Sequence, residues 1–498
     1  MKRSTFLLLS TLLGSYSFPG YGALLNLPQS PIALTTSIPS NIFIDIDDSG
    51  SMDWEVLINP YWEMCAYDSN ATGLPSLTTT CGTYWTGDDG IVGFANGQFL
   101  NFNYIFNNSD NIYNVYNPSG CNYGSLGINA IQACPAGSRF DWRVYSHDLN
   151  ANHYDPSISY APWQYNCSSG TACGNASFSS VRSNPISGTS GYSVTKNLAG
   201  NKYEVWIDDR GFSGSRPLRA AAINANTTPN NIMDLWDSHV TIQLNASNVT
   251  VSTTTYAPTV LGLNPTTTLR ATLTDTTQCY NVLGSDNLVR NIFNGSLGYT
   301  STGADGCATI AQAQQNYANW YQYNRRRSFA AKGAVAYVIN LYPNFRYGLN
   351  SINNDFFVQF PPSSATDFTS YNSTLLSTLM SYAWQAQGTP NRSGLNRVGQ
   401  YYKNNLSGKT NPITAACQQN YTVFITDGYW DNPDPNGMPS YIGDADGDGI
   451  SSTFADVAYY YYKNNLQTSF TANQVVPNAW DPATWLHMVT FTMGFGIY

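Results

Sequence analysis

The hydrophobic pattern after residue 308 alternates between segments of helical spacing and short apolar runs. Apolar residues in 308–340 fall near one helical face, which predicts one or two helices that end before Pro343. Apolar runs predict strands at 345–349, 356–360, 421–426 and 488–493, and helical spacing predicts further helices at 375–384, 395–402 and 454–466. Strands that alternate with helices predict an α/β fold, in which helices cover both faces of a mostly parallel sheet.

An earlier apolar run, 42–46, leads into a polar turn that carries Asp47, Ser49 and Ser51. A short continuous apolar run is typical of a buried parallel strand, and ligand sites in open α/β sheets lie just past the carboxyl ends of such strands. Two hydroxyls and a carboxylate in one tight turn are suitable ligands for a hard divalent cation. The same residues also suit an ordinary surface turn, so this loop alone leaves both interpretations open.

Two later turns carry oxygen ligands in corresponding places. Thr389 lies in a Gly-Thr-Pro turn before the predicted helix 395–402, and Asp427 follows the predicted strand 421–426. This succession of turns resembles the von Willebrand factor type A domain, which has a Rossmann-like fold. In that family three loops supply an Asp with two Ser, a Thr and an Asp, which here fall on Asp47, Ser49, Ser51, Thr389 and Asp427. The resemblance implies a site for Mg2+, or for Mn2+, that leaves one coordination position to an acidic residue of a partner.

The N-terminus is typical of a secretory signal. Lys2 and Arg3 precede an apolar stretch at 6–13, and small residues follow near 20–23, so we expect a signal peptide at 1–22. The apolar stretch falls short of the roughly 20 residues that cross a bilayer, and no later segment is long and apolar enough to cross one. We therefore expect an exported product without an integral membrane segment after signal cleavage.

Nine cysteines in an exported chain predict disulfides. Eight of them fall between the Asp47 turn and residue 310, in weakly periodic sequence: Cys65, Cys81, Cys121, Cys134, Cys167, Cys173, Cys279 and Cys307. Pairing between near neighbours in this order is the simplest connectivity, but other pairings stay open, as does the state of Cys417. The expected division is signal peptide at 1–22, start of the type A domain at 23–52, a disulfide-rich, mixed or mostly β insertion at 53–310, and the remainder of the domain at 311–498.

Charge and motifs exclude several classes of function. The net charge is -9 and charged residues make up 11% of the chain, which argues against nucleic acid as a partner. The run Arg325-Arg326-Arg327 predicts a solvated helix face and is too short to indicate nucleic acid or lipid binding. The sequence contains no GxSxG, no HExxH and no phosphate-binding GxxxxGK[ST], so we expect no enzymatic activity.

A second acidic turn is a candidate for calcium. Asp444, Asp446 and Asp448, followed by Gly449, match the start of a DxDxDG calcium loop. Position twelve of that loop, however, is Ala455, and Asp456 comes one residue late. Asp456 could instead complete a capping box with Thr453, so a weak calcium site and a solvated turn before a capped helix both stay open.

Several longer strings resemble the N-terminal half of the PilC/PilY-type proteins of type IV pilus systems. They are 149–156 and 160–163, 319–323 with Arg325 and Arg327, 398–402, 425–430, 444–462 and 488–491. Members of that family continue into a C-terminal β-propeller, which is expected to be absent here, so the chain is expected to be a truncation or a fragment.

The resemblance implies an exported pilus assembly and tip-associated adhesion factor, at the outer membrane surface, the pilus tip or outside the cell. It would bind minor pilus subunits, or a host-surface protein with an acidic ligand residue, through the divalent metal. In the alternative, the chain is a structural assembly module. The metal then only stabilises the domain, and the insertion makes the contacts.

Overall fold

A computed structural model of the protein describes eleven segments of the chain: 38–57, 104–112, 145–147, 150–156, 158–207, 238–257, 264–277, 308–428, 430–431, 433–471 and 474–495. Contacts divide the chain into Met1–Ile38, of which only Ile38 is described, and Pro39–Tyr498. The expected signal peptide lies outside the described residues. So do six of the candidate disulfide cysteines: Cys65, Cys81, Cys121, Cys134, Cys279 and Cys307.

A five-stranded sheet joins residues that are hundreds of positions apart. Its strands are β1 (Asn41–Ile46), β10 (Arg346–Ser351), β11 (Phe357–Val358), β12 (Asn420–Thr426) and β13 (Val489–Gly494), in the order β11-β10-β1-β12-β13. All neighbours are parallel except β10 and β11. The predicted mixed α/β fold with a largely parallel sheet is therefore confirmed.

The strand order creates a switch point at β1. The chain passes from β1 to β10 on one side and later crosses to β12 on the other side. Ile46, the last residue of β1, stands opposite Ile425 of β12. In open α/β sheets, ligands bind outside the carboxyl ends of strands at such a reversal. Asp47 and Asp427 directly follow these two strand ends.

Five helices occur in the described residues. They are α1 (Ile310–Tyr323), α2 (Arg327–Leu341), α3 (Thr369–Ser381), α4 (Asn391–Tyr402) and α5 (Phe454–Lys463). Thr309 begins α1 with a capping box, because its side chain accepts from the Gln312 amide while the Gln312 side chain bonds back to the Thr309 amide. The helix that was predicted at 375–384 begins earlier, at Thr369. The prediction missed its first turn because that turn is mostly polar and carries no apolar periodicity. None of these helices combines the length and apolar character that a membrane crossing requires.

Alternate residues of β1 supply two separate cores. Ile44 and Ile46 pack with residues of α1, α2 and α3, whereas Phe43 packs with residues of α4 and α5. This alternation follows from the two-residue period of a strand. The ring of Phe43 lies 5.5 Å from that of Tyr401 between centroids. Helices therefore pack on both faces of the sheet, as the sequence predicts.

The described part of the insertion is mostly β. Four strands form an antiparallel sheet: β6 (Asn201–Ile207), β7 (Ser238–Leu244), β8 (Val249–Ala257) and β9 (Asn264–Leu273). Two hairpins precede it, β2 (Asn166–Ser168) with β3 (Thr171–Ala172), and β4 (Val181–Arg182) with β5 (Thr195–Lys196). The insertion contacts α1 directly, since the Trp163 indole donates to the Tyr323 carbonyl at 2.9 Å.

One of the proposed disulfides is present in the described residues. Cys167 and Cys173 are bonded, as near-neighbour pairing predicts, and this bond closes the β2–β3 hairpin. Cys417 is exposed and forms no disulfide with a described residue.

Candidate functional site

The turn after β1 holds three oxygen ligands close together. The Ser49 amide donates to Asp47 Oδ1 at 2.8 Å, and the hydroxyls of Ser49 and Ser51 lie 3.1 Å apart. A 3-10 turn, Gly50–Asp53, follows and closes the loop. The Asp47 amide donates to the Ile425 carbonyl at 2.8 Å, so the turn is fixed to strand β12 where it begins.

The third predicted loop meets the first one. Ser51 Oγ donates to Asp427 Oδ1 at 3.0 Å, although the two residues are 376 positions apart. The hydroxyl of Thr426 donates to Asp47 Oδ2 at 2.6 Å. Neither Asp47 nor Ser49 is more than 1% exposed. The structure therefore brings both carboxylates and both serines of the predicted site to one buried corner of the sheet.

The second predicted loop lies against the other two. The Gly50 amide donates to the Gln387 carbonyl at 3.0 Å, two residues before Thr389. On the other side of Thr389, the Asn391 side chain donates to the Thr426 hydroxyl at 3.2 Å. The Thr389 loop is thus tied both to the first turn and to the end of β12.

Asp431 fixes the backbone of Thr389, a role that motif matching does not indicate. The Thr389 amide donates to Asp431 Oδ2 at 2.8 Å, and the Asp431 amide donates to the Thr389 carbonyl at 3.0 Å. A Cβ on Gly388 would lie 2.2 Å from Asp431 Oδ2, so a larger residue here would displace the Asp431 carboxylate from Thr389. The Gly-Thr-Pro turn is therefore positioned by a residue four places beyond Asp427.

Burial and like charge raise pKa values at this corner. Burial, followed by the charge of Asp427, raises the pKa of Asp47 to about 7, against hydrogen bonds from Ser49 and Thr426. Burial also raises the pKa of Asp45, two residues earlier in β1, to about 7. Buried carboxylates gain most from a compensating cation, so the site is electrostatically suited to bind one.

The donor set fits a hard divalent cation. All the predicted ligands offer oxygen: the hydroxyls of Ser49 and Ser51 lie 3.1 Å apart, and the Ser51 hydroxyl donates to Asp427 Oδ1 at 3.0 Å. Oxygen-only sites suit magnesium, calcium and manganese. Ser49 and Ser51 would hold such an ion through their hydroxyls, with the carboxylates of Asp47 and Asp427 beside them. Metal binding by the five residues stays a prediction.

The three consecutive arginines are buried, so the predicted solvated face is wrong. Arg325, Arg326 and Arg327 are 0%, 2% and 7% exposed and occupy the junction of α1 and α2. Each of them pairs with a carboxylate. Arg326 Nη1 lies 2.8 Å from Asp53 Oδ1, and its Nη2 lies 3.1 Å from Asp110 Oδ1. Isolated buried charge is very costly, so partners of opposite sign make this burial tolerable.

Arg327 contacts the predicted site directly. Its Nη1 donates to Asp427 Oδ2 at 2.5 Å, and its Nη2 donates to the Val56 carbonyl at 2.6 Å. The guanidinium carbon lies 5.4 Å from the centroid of the Trp54 ring. Asp427 is therefore oriented from both sides, because Ser51 binds one of its oxygens and Arg327 binds the other.

Comparison with curated proteins supports one family. The chain is 27% identical over 263 residues to the type IV pilus biogenesis factor PilY1 of Pseudomonas aeruginosa strain PAO1, which covers 40% of this chain and 22% of that protein. The chain is similar to PilY1. The predicted resemblance to PilC/PilY-type pilus proteins is thereby confirmed.

Two further PilY1 proteins agree with this match. PilY1 of strain PAK is 27% identical over 237 residues, and PilY1 of strain UCBPP-PA14 is 26% identical over 232 residues. These matches cover 38% and 37% of this chain and 20% and 19% of the two relatives, so the chain matches about a fifth of the length of each PilY1. No family model matches the chain, and no solved structure matches it.

The second acidic turn folds around Asp456. Oδ1 of Asp456 accepts from the amides of Ala445 and Asp446 at 2.6 and 3.2 Å. Oδ2 accepts from the amide and the hydroxyl of Thr453 at 2.8 and 2.9 Å, which forms the predicted capping box of α5. Carboxylate oxygens of Asp444, Asp446 and Asp456 lie within 4.8 Å of one another. Asp448, the third carboxylate of the predicted calcium loop, is not in this group, and its Oδ1 accepts from the amide of Ile450 at 2.7 Å.

Proposed function

We propose that this protein is an exported type IV pilus assembly and adhesion factor. Its von Willebrand type A domain would bind a partner through a divalent cation, Mg2+ or Mn2+, held by Asp47, Ser49, Ser51, Thr389 and Asp427. The partner is a minor pilus subunit or a host-surface protein that offers an acidic residue. Binding is the whole activity, and the proposal includes no catalytic step.

One observation carries the proposal. Ser51 donates to Asp427 at 3.0 Å, so two loops from distant parts of the chain converge at the switch point of a sheet. The antiparallel edge strand β11 and the order of the parallel strands also agree with a type A domain. The similarity to PilY1 supplies the pilus context.

The residues of the proposed site would have different roles in binding the cation. The hydroxyls of Ser49 and Ser51 are neutral, so direct contact through them leaves a bound cation electrophilic toward a carboxylate. Asp427, oriented by Ser51 and Arg327, would contribute its carboxylate to holding the ion. A bound cation would supply the positive charge that the partner's acidic residue recognises.

Calorimetric titration of the purified chain with Mn2+ tests the metal site. We expect binding in the wild type and none in Asp47→Asn, which keeps the volume of the side chain but removes its charge. Asp367→Asn removes an exposed carboxylate beside α3 and serves as the matched control. Equal Mn2+ affinity in wild type and Asp47→Asn would contradict the proposal.

The pilus function needs a cellular assay. Cells that depend on this chain for piliation would receive the wild type, Asp47→Asn or Asp367→Asn, and surface pili and adherent cells would be counted. We expect loss of adhesion only in Asp47→Asn, at equal levels of exported protein. Full adhesion in that variant would show that adhesion does not depend on the metal site.

A structural assembly module is the second candidate. The insertion packs closely on α1, since the Asn319 side chain donates to the Tyr160 carbonyl at 2.8 Å and accepts from the Ala176 amide at 2.9 Å. In this alternative the insertion makes the contacts and the metal only stabilises the domain. Chelation by EDTA separates the two, because it would abolish partner binding only if the metal makes the contact.

A further inference from the structure

A cavity of about 450 Å3 opens at the surface of the insertion, between its two hairpins and the end of α1. Residues of β2, β3, β4 and β5 line it, together with Gln322 and Tyr323, the last two residues of α1. Sites for small ligands commonly occupy about 300–1,000 Å3, so this cavity has the size of a ligand site. It contains none of the five residues of the proposed metal site.

Side chains of α1 fix the walls of this cavity. Gln322 Oε1 accepts from the Arg182 amide at 3.0 Å, and the Tyr323 hydroxyl donates to the Gly174 carbonyl at 2.6 Å. The β2–β3 hairpin, which forms another wall, is closed by its disulfide. Because the walls are held in place before binding, little conformational entropy would be lost when a ligand enters.

The lining differs from that of an apolar ligand site. Ligand sites are usually lined mostly by apolar and aromatic side chains, with a few polar groups. Here hydroxyl and amide side chains predominate, and each of them can both donate and accept hydrogen bonds. Such a lining suits a ligand that carries hydroxyl groups over much of its surface, as a carbohydrate does. These side chains are Ser168, Thr171, Asn175, Ser177, Ser180 and Thr195.

Arg182 is the only charged residue among the described residues that line the cavity. Its guanidinium carbon lies 4.5 Å from the centroid of the Tyr192 ring, a contact that orients the planar group. Within the described part of the chain, no carboxylate forms an ion pair with it. An arginine offers paired donors that match the two oxygens of a carboxylate. The cavity is therefore suited to a ligand with one carboxylate.

The end of α1 favours a carboxylate over a phosphate. Gln322 and Tyr323 end this helix, and a helix carries a partial negative charge at its carboxyl end. A phosphate monoester has close to two negative charges at neutral pH, whereas a carboxylate has one. One arginine balances one charge, so the second charge of a phosphate would stay uncompensated near the helix end.

From these observations we propose that the cavity binds an acidic carbohydrate. Arg182 pairs with the carboxylate of the sugar, and the surrounding hydroxyl and amide side chains bind the sugar hydroxyls. Uronic acids and sialic acids belong to this class of ligand. The site gives the insertion a contact of its own with a surface that carries acidic glycans. It needs no metal, so it and the proposed cation site can each exist without the other.

A ligand-observed NMR titration of the full chain tests the class of ligand, with EDTA present so that no bound metal contributes. Sodium glucuronate is the probe, and three compounds each change one feature at equal ionic strength. Glucose lacks the carboxylate, acetate lacks the hydroxyls, and glucose 6-phosphate carries a phosphate in place of the carboxylate. We expect glucuronate to bind at least about tenfold more tightly than any of them, which is the low end of the contribution of hydrogen bonds to a charged group.

Three variants locate the binding in the cavity. Arg182→Gln should lower the affinity for glucuronate about tenfold, to that for glucose, and leave the affinity for glucose unchanged. Arg270→Gln removes an arginine of β9 that lies outside the cavity, and it is the matched control that should behave like the wild type. Ala172→Trp places a large ring at an exposed position of the lining and should exclude glucuronate and glucose alike.

The comparisons in the wild type decide the question even if a variant does not fold. Absence of glucuronate binding, or equal affinity for glucose, would show that Arg182 recognises no carboxylate. Equal affinity for acetate would show that the lining recognises no sugar, and tighter binding of glucose 6-phosphate would overturn the class of ligand. A preference for glucuronate that survives in Arg182→Gln would place the binding elsewhere and would also overturn the proposal. None of these results bears on Mn2+ binding, so the proposed function is tested separately.

Discussion

Arg325 and Glu55 form a buried ion pair between the helical part of the chain and the segment that leaves the Asp47 turn. Arg325 Nε lies 2.8 Å from Glu55 Oε1, and the two side chains are 0% and 1% exposed. Glu55 Oε2 also accepts from the amides of Ile105 and Phe106 at 2.8 and 2.9 Å. One carboxylate thus joins the α1–α2 junction to the insertion.

Loss of either partner should destabilise the fold strongly. Glu55→Ala leaves Arg325 buried without its counter-charge, which typically costs about 3–5 kcal/mol. We expect this loss in the free energy of unfolding by urea, and we expect Arg325→Met added to Glu55→Ala to recover part of it. If the two single losses instead add up in the double variant, the residues do not interact.

The three consecutive arginines, 325–327, show what local sequence patterns cannot predict. The helices and strands after residue 308 follow from apolar periodicity, which is local, and nearly all were predicted with modest errors at their ends. The environment of Arg325 depends on Glu55, which is 270 positions away, so a rule for charge runs could not foresee its burial. Asp53 and Glu55, spaced by two directly after the Asp47 turn, were the one available signal.

The residues of the candidate site also fall into two groups, those that a local or family pattern identifies and those that only distant contacts bring to the site. Asp47, Ser49 and Ser51 were identifiable because they share one turn, and Thr389 and Asp427 because a family pattern places them. Arg327 belongs to one of the strings that resemble the family, but nothing in that string indicates a role at the site, and Asp431 belongs to no motif; the two act through contacts across 100 and 42 positions. For the insertion, the sequence predicted only a mixed or mostly β fold, and the pairing of its strands was beyond prediction because the sequence is only weakly periodic.

Lys332 should give the protein a measurable pH dependence. Its ammonium group donates to the carbonyls of Met380 and Tyr382 at 3.0 and 2.7 Å, and burial lowers its pKa from 10.5 to about 7. Because the folded pKa is the lower one, unfolding takes up a proton between these two values. The free energy of unfolding therefore rises with pH between about 7 and 10.5. Below pH 7 the buried ammonium group destabilises the folded state by its full amount.

The comparison with Lys332→Met isolates this effect. The free energy of unfolding of the wild type minus that of the variant should increase from pH 7 to pH 9, by at most about 1.4 kcal/mol per pH unit. Lys409→Met, at a partly exposed lysine, is the matched control for loss of the side chain. A difference that stays flat over this range would mean that Lys332 is not buried as described.

Gly399 allows α4 and α5 to approach each other. A Cβ at this position would lie 2.2–2.4 Å from three atoms of the Tyr461 ring. Tyr461 is fully buried, and its hydroxyl donates to the Asn396 side chain at 2.7 Å. We expect Gly399→Ala to lower the free energy of unfolding by about 1–3 kcal/mol, because the ring cannot move without losing this bond. Gly174→Ala, which has open space around the added methyl group, should be nearly neutral.

Asp456 should stabilise the protein without any ion. Its carboxylate accepts from the amides of Ala445, Asp446 and Thr453, so Asp456→Ala removes one half of the capping box of α5 and a loop anchor together. Loss of a cap alone typically costs about 0.5–2 kcal/mol. We therefore expect a loss of about 1–3 kcal/mol in urea denaturation with EDTA present, and an unchanged stability would exclude the anchor.

Calcium binding at the same loop is a separate question with its own variant. Asp444 accepts from the amides of Gly447 and Gly449 at 2.9 and 3.0 Å, and asparagine can keep only part of this while losing the charge. Both carboxylate oxygens of Asp456 already accept hydrogen bonds. A bound calcium ion would compete with these hydrogen bonds and therefore bind weakly. Excess calcium should then raise the melting temperature of the wild type slightly, and not that of Asp444→Asn. An equal response in the two proteins would identify the loop as an acidic turn that stabilises itself through its backbone.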